Sequence, residues 1–196
     1  MNNNRCDSDI KRCDWCGSDP LYRQYHDHEW GVVCRDDDKL FEFVVLEGAQ
    51  AGLSWITILR KRENYRRAFD NFNAQKIARY NQRSVERLLG NEGIVRNRLK
   101  IESTISNARC FLDIQEEFGS FSDYFWGFTD NRQIVNNWKT LKQVPASTPL
   151  SDTISKDMKK RGFKFFGTTI CYAHMQAVGM VNDHTSDCFR HSDCIE

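Results

Sequence analysis

The sequence predicts an all-α fold. Apolar residues recur at helical spacing through most of the chain. Ser, Asn, Asp and Gly residues punctuate those runs where caps and stops are needed. Only residues 133–138 read as a strand. A chain of 196 residues is expected to form a single domain over 1–196 with a sizeable core. A formal net charge of +1 means that bulk charge does not announce a nucleic-acid partner.

Residues 1–12 are polar and expected to be disordered. Residues 13–20 are turn chemistry studded with thiols. Residues 21–30 form a short aromatic stretch in which Tyr22, Tyr25 and His26 share one face if helical. Asp36 or Asp37 can cap the next helix. There Leu40, Phe41, Val44 and Ala51 form the apolar stripe. Glu47 lies seven residues after Leu40 and three after Val44, so it falls inside that stripe. Glu42 and Asp38 are assigned to the opposite, solvated side. Gly52 interrupts the helix, and Ser54 caps a new one running from Trp55 towards Phe69. Asn73 and Ser84 read as caps of short helices over 74–80 and 85–89. Residues 90–95 are a tight connection into a long helix over 96–118, with Ile101, Ile105, Ala108 and Leu112 on one side. A short aromatic helix over 121–128 follows. Ser151 or Asp152 starts a helix that Gly162 ends, and 168–178 is the last helix, closed by Gly179.

No N-terminal apolar run resembles a signal peptide, and the longest apolar runs are too short to cross a bilayer. A cytoplasmic protein with no membrane partner is expected. Its eight Cys are then better read as metal ligands or buried thiols than as disulfides. Cys13 and His26 near one end, with His184-x3-Cys188 near the other, could close a tetrahedral Cys2His2 zinc site. It would staple two ends that otherwise fray. Cys13-x2-Cys16 is a rival first pair, His28, His191 and Cys194 are further candidates, and unrelated surface His and buried Cys also fit the spacing.

Glu47 admits two readings. It is either a core acid bonded to nearby backbone or a Tyr, or a site carboxylate. Tyr22, Tyr25, Trp30 and Trp55 could line a slot for a flat ligand, although core packing explains aromatics as well. Residues 88–101 hold a turn with Gly90 and Gly93, then Arg96, Arg98 and Lys100. A helix-hairpin-helix of this kind offers amides and a helix N-terminus to a phosphate; an ordinary turn between helices has the same pattern. Arg60-Lys61-Arg62, Arg66-Arg67 and residues 156–164 add local basicity, or merely solvated helix faces.

Together these residues resemble the 3-methyladenine DNA glycosylase I family. The resemblance runs from residue 13 to about 188. Its most specific pieces are Asp19-Pro20-Leu21-Tyr22, Tyr25-His26-Asp27, Glu29-Trp30-Gly31, Leu46-Glu47-Gly48, Gln50-Ala51-Gly52-Leu53-Ser54-Trp55-Ile56-Thr57, Lys61-Arg62-Glu63-Asn64-Tyr65, Lys159-Lys160-Arg161-Gly162-Phe163-Lys164-Phe165, Gly167-Thr168-Thr169-Ile170-Cys171-Tyr172 and Val181-Asn182-Asp183-His184. It implies a helix-hairpin-helix superfamily fold and base-excision removal of 3-methyladenine from DNA by base flipping. It implies one structural zinc bound by Cys13, His26, His184 and Cys188, so that Cys13 rather than Cys16 is the ligand. It also implies that Glu47, Tyr25 and Trp55 contact the extruded base, with Tyr22 and Trp30 near the pocket. The wider superfamily places a catalytic Asp after the hairpin; Asp113 matches no motif of this family and receives no such role.

On this resemblance a base methylated at N3 leaves as a neutral molecule and needs little acid assistance. Glu47 is therefore expected to act as an ionised acceptor, the one residue given a catalytic role. The turn at Gly52 and Leu53 is expected to fill the gap left by the flipped nucleotide, with Gly90, Gly93 and Arg96 on the phosphate backbone. The implied partners are double-stranded DNA containing 3-methyladenine and the free base as product. The chain is expected to act as a monomer, nucleoid-associated while at work. A base-binding module without catalysis and a purely structural zinc-stapled protein are the competing classes.

Overall fold

The computed structural model describes residues 10–196. Residues 1–9 of the stretch expected to be disordered lie outside the described residues. Residues 10–12 are held: the Lys11 carbonyl accepts from the Phe189 amide, and Arg12 forks onto Asp27 at 2.8–3.0 Å.

The fold is helical, as expected. Helix α1 (Pro20–His28) starts from an Asp19 cap, with proline at its first turn. Helix α2 (Asp37–Gln50) is capped by Asp36. Asp37, the other candidate cap, instead accepts from the Phe121 and Ser122 amides and ties α2 to a later helix. Residues 40–49 of α2 are all buried, so this helix has no solvated face at Glu42. Helix α3 (Trp55–Ala68) follows. Ser54 precedes it in extended backbone, but its hydroxyl meets Thr57 rather than a backbone amide.

Helices α4 (Ala74–Ile77) and α5 (Gln82–Leu89) are capped by Asn73 and Asn81. Ser84 is not the cap expected: it sits at the third helical position and completes a capping box with Asn81. Helix α6 (Arg98–Phe118) begins two residues later than expected because Asn97 caps it, and α7 (Phe121–Gly127) follows. Helix α8 (Pro149–Lys160) begins at Thr148 rather than Ser151 for the same reason as α5, and α9 is Thr168–Ala177. Strand β1 (Ile134–Val135) lies inside the stretch 133–138 expected to be a strand. Its parallel partner β2 (Val181–Asn182) and α10 (Arg190–Asp193), beyond α9, had no counterpart in the sequence reading.

Helix α2 is the centre, packed against α3, α6, α7 and α9. Phe41, Phe111, Phe121 and Phe125 join α2, α6 and α7 through ring contacts of 4.5–5.7 Å. That packing fixes the C-terminal end of α2, where Glu47 lies.

Candidate active site

A cavity of about 300 Å³ opens beside the C-terminal half of α2. Its walls come from separate segments. Tyr22, Tyr25 and Trp30 arrive from α1 and its end, Glu47 and Gln50 from α2, and Trp55 from the start of α3. Tyr25 and Trp55 meet at 5.6 Å between ring centroids. All five residues expected at the base pocket therefore line one cavity.

Glu47 is 3% exposed, and its Oε2 has no hydrogen-bond partner among the described residues. Burial alone pushes its carboxyl up to about 8. Burial thus favours the protonated acid at neutral pH, where the sequence reading expected a carboxylate. The indole Nε1 atoms of Trp15 and Trp55 are also buried without partners. A cavity with an apolar rim and these unspent polar atoms is built for a flat ligand that brings its own donors and acceptors.

The rest of the lining was not read from the sequence. Trp15 packs edge-on against Tyr22 and Trp30, each at 4.9 Å. Thr169, Tyr172 and Gln176 come from α9. Asp183 fixes that wall: its carboxylate accepts from Tyr172 at 2.6 Å, Gln176 at 2.7 Å, Asn136 at 2.7 Å and Trp138 at 2.8 Å. The motifs at 167–172 and 181–184 marked these segments, but nothing local indicated that they line the same cavity as Glu47.

Behind the aromatic wall, one donor atom from each of Cys13, His26, His184 and Cys188 lies within 4.8 Å of the other three. Cys13 Sγ is 3.5 Å from His184 Nδ1; Cys188 Sγ is 3.4 Å from His26 Nε2 and 3.5 Å from His184 Nδ1. The outer ring nitrogens are oriented too: His26 Nδ1 donates to Asp27 at 2.8 Å, and His184 Nε2 donates to the Trp30 carbonyl at 3.1 Å. The close approach of the two thiols pushes Cys13 up and Cys188 down, chiefly through their mutual hydrogen bond. Two thiols, two oriented imidazoles and complete burial fit a metal ion. The rival ligand Cys16 instead donates to the Cys13 carbonyl. Trp30 links the two sites, since its ring lines the cavity and packs on His184 at 4.6 Å.

The loop after α2 is a type II turn. Leu53 donates to the Gln50 carbonyl, with Ala51 at φ −42°, ψ 115° and Gly52 at φ +78°. Open space surrounds Gly52, so its conformation rather than crowding calls for glycine. The turn leaves Leu53 40% exposed. Hairpin residues 90–97 join α5 to α6, but the glycines serve the protein. The Gly90 amide donates to Glu86, the Gly93 amide donates to Asn91 Oδ1 at 2.8 Å, and a Cβ on Gly93 would meet Asn64 at 2.9 Å. Lys100, expected to add charge for a phosphate, donates to the carbonyls of Ala49 at 2.8 Å and Ala51 at 2.6 Å. It ties the start of α6 to the Gly52 turn. Arg98 pairs with Glu86, and among the described residues Arg96 keeps only an exposed contact to Glu92 at 3.4 Å.

A family model described as methyladenine glycosylase matches residues 15–191. The chain belongs to that family. It is 51% identical to DNA-3-methyladenine glycosylase 1 of Escherichia coli (strain K12) over 179 residues, 91% of this chain and 96% of the relative. It is 46% identical to DNA-3-methyladenine glycosylase of Haemophilus influenzae over 177 residues, 90% and 96% of the two chains. A solved structure of 3-methyladenine DNA glycosylase I from Staphylococcus aureus, described as the basis of 3-methyladenine recognition, superposes with a TM-score of 0.89 at 33% identity. That match covers 92% of this chain and 96% of the other. The chain is thus a glycosylase, with the helical fold of its relatives.

Proposed function

We propose that this glycosylase removes 3-methyladenine from alkylated DNA by flipping the damaged nucleotide into the cavity beneath Glu47. The observation that carries the proposal is the unpartnered Oε2 of a buried acid inside an aromatic slot. Methylation at N3 gives the base a positive charge and weakens its bond to the sugar. Electron-rich rings favour a cationic face, and Tyr25 and Trp55 would flank it. Glu47 accepts from the exocyclic amine and faces the charge. A cation beside it reverses the effect of burial, so the acid ionises as the substrate enters and a proton leaves the site below about pH 8. The bond from the base to the sugar carbon breaks with its electron pair going to the base, which departs neutral. Water adds to that carbon and gives up one proton to solvent. Shape and position carry the rate, and Glu47 is the residue that reads and stabilises the base.

Leu53 would fill the vacated stack, while the first-turn amides of α6 and Arg96 hold the backbone. The remaining parts of this reading are a single domain over 1–196, acting as a monomer on double-stranded DNA in the cytoplasm.

Zinc is the metal this reading gives the Cys13, His26, His184 and Cys188 cluster. Tetrahedral zinc with bonds of about 2.3 Å to sulfur and about 2.0 Å to nitrogen sets S···N edges of about 3.5 Å. The separations here are 3.5, 3.4 and 3.5 Å. Bound there, zinc would join the two ends of the chain and hold Trp30 through His184; a closed four-ligand shell leaves no position for water. The enzyme's test is the release of bases from methylated DNA. Release of 3-methyladenine by the parent supports the proposal, and none sinks it. Elemental analysis should find about one zinc per chain, lost in His184→Ala.

A further inference from the structure

The loop 161–167, between α8 and α9, is held in a conformation its residues do not favour. Phe165 sits at φ +53°, a left-handed backbone that is rare for a bulky side chain. Such strain persists only where the surroundings impose it. Here they do. Asn107 of α6, buried, donates to the Lys164 carbonyl at 2.9 Å and accepts from the Lys164 amide at 2.8 Å. Ser155 of α8 donates to the Phe166 carbonyl at 2.9 Å. Gly162, at φ +100°, lies so close to α6 that a Cβ would meet Cys110 Sγ at 3.0 Å.

The result is not a buried ring. Phe165 remains 36% exposed, and Lys164 is exposed with no ion pair among the described residues. Phe163 and Phe166 on either side are buried, so the twist turns one aromatic outward from a run that otherwise faces the core. Phe165 rests on Gly48, 3.6 Å from where a Cβ would stand, beside Glu47. Thr169, four residues on, lines the cavity. The loop therefore packs beside two segments that line the cavity, α2 at Glu47 and the first turn of α9, without lining it itself.

We infer that Lys164 and Phe165 are a second DNA contact, the ring resting on the sugar face of the duplex and the ammonium on a phosphate. This rests on the reading of the protein as a glycosylase acting on duplex DNA. Helix α6 sets the spacing. Lys100, at the Gly52 turn, and Asn107, at this loop, are seven residues apart on α6, about 10 Å along its axis. That is about three base steps along a strand. The hairpin and the Leu53 turn would hold the lesion itself, and this loop the flanking duplex on the far side of the pocket mouth.

The test uses the full chain and two variants. Phe165→Asn removes the ring but keeps a residue at ease in left-handed backbone. Lys164→Gln removes the charge. Single-turnover release from methylated DNA, binding to a duplex with an abasic-site analogue across a salt series, calorimetry with free 3-methyladenine, and thermal melting are measured together. Phe165→Asn should melt no lower than the parent and bind the free base equally, while the enzyme concentration for half-maximal release rises about tenfold. Lys164→Gln should reduce the slope of log affinity against log salt by about one. Parent-like release and DNA affinity in both variants would overturn the inference. So would a lower melting point with loss of free-base affinity, which would make Phe165 part of the core. If the parent itself releases no base, the proposed function fails first, and that failure is visible without either variant.

Discussion

Glu42 and Glu47 stand five residues apart on α2, both nearly sealed from water, at 5% and 3% exposed. Glu42 is surrounded by cations. Arg62 Nε donates to it at 2.6 Å, Arg66 at 2.8 Å and Lys39 at 3.2 Å, and Arg62 also forks onto Glu29 at 2.6 and 2.7 Å. Burial alone would raise the Glu42 carboxyl, but these hydrogen bonds and charges overcome it and hold it below the usual range. Glu47 has burial and nothing to offset it. Two acids of the same helix are thus driven in opposite directions. Glu42 has its partners within the protein; Glu47 Oε2 has none among the described residues and lines a cavity instead. His174 shows that lack of a partner is not enough: it is wholly buried among Phe125 and Phe166, with both ring nitrogens unpaired among the described residues and its pKa pushed down to about 3 by burial. It does not line the cavity. What marks a site is an unpartnered group with a cavity in front of it.

Breaking the Glu42 side of this contrast should have the largest effect. Arg62→Met leaves Glu42 and Glu29 short of their main cation in a poorly solvated place, and should lower stability by about 3–5 kcal/mol in urea unfolding. A loss below about 1 kcal/mol would mean that Arg66, Lys39 and water suffice for both acids.

Excision comes next. Glu47→Gln keeps the shape and one acceptor but removes the charge. Single-turnover release from methylated DNA should fall by on the order of 10–100-fold, equivalent to about 1.4–2.7 kcal/mol of transition-state stabilisation. Complete loss with intact base binding would assign Glu47 a chemical step denied to it here.

The pH dependence of stability separates the acids by sign. Glu47 binds its proton more tightly folded than unfolded, so its contribution is complete below the ordinary carboxyl range and is lost as pH rises to about 8. The slope approaches about 1.4 kcal/mol per pH unit from this group alone. Glu42 is the reverse, contributing above the ordinary carboxyl range and losing its contribution as pH falls below it. Glu47→Gln should therefore flatten the melting profile between the ordinary carboxyl range and about pH 8, and Glu42→Gln should flatten it below the ordinary carboxyl range. The same side altered by both variants would remove the distinction.

Much of this contrast was legible in the sequence. Helical spacing placed Glu47 on the inward stripe, and Gly52 marked the turn beyond it. Spacing also placed Glu42 outward, and there it failed, because α2 is buried all round and the cations that make Glu42 tolerable come from α3. Caps were misplaced by a few residues where a second Ser or Thr stood nearby, as at Asn81 and Thr148, since either residue type can cap and only the backbone decides. Asp183 and the α9 wall were quoted as motif but not as site, because their four hydrogen bonds join residues up to 47 positions apart. The strand at 181–182 is two residues long and has no period to read.

The smallest expected effect lies at Lys100, whose hold on Ala49 and Ala51 sets the turn beside Glu47. Lys100→Met should cost less than about 1 kcal/mol of stability and leave free-base affinity unchanged. Base release from DNA should slow several-fold, because the Leu53 turn loses its tie to the hairpin helix. Unchanged release would mean that the turn holds itself.

The claim at the centre is that the spare valence of Glu47 is kept for the base. Calorimetric titration of parent and Glu47→Gln with 3-methyladenine at neutral pH tests it directly. The account predicts at least tenfold weaker binding in the variant, with the fold intact by melting. Equal affinity in the two proteins would contradict it and make Glu47 one more acid of the core.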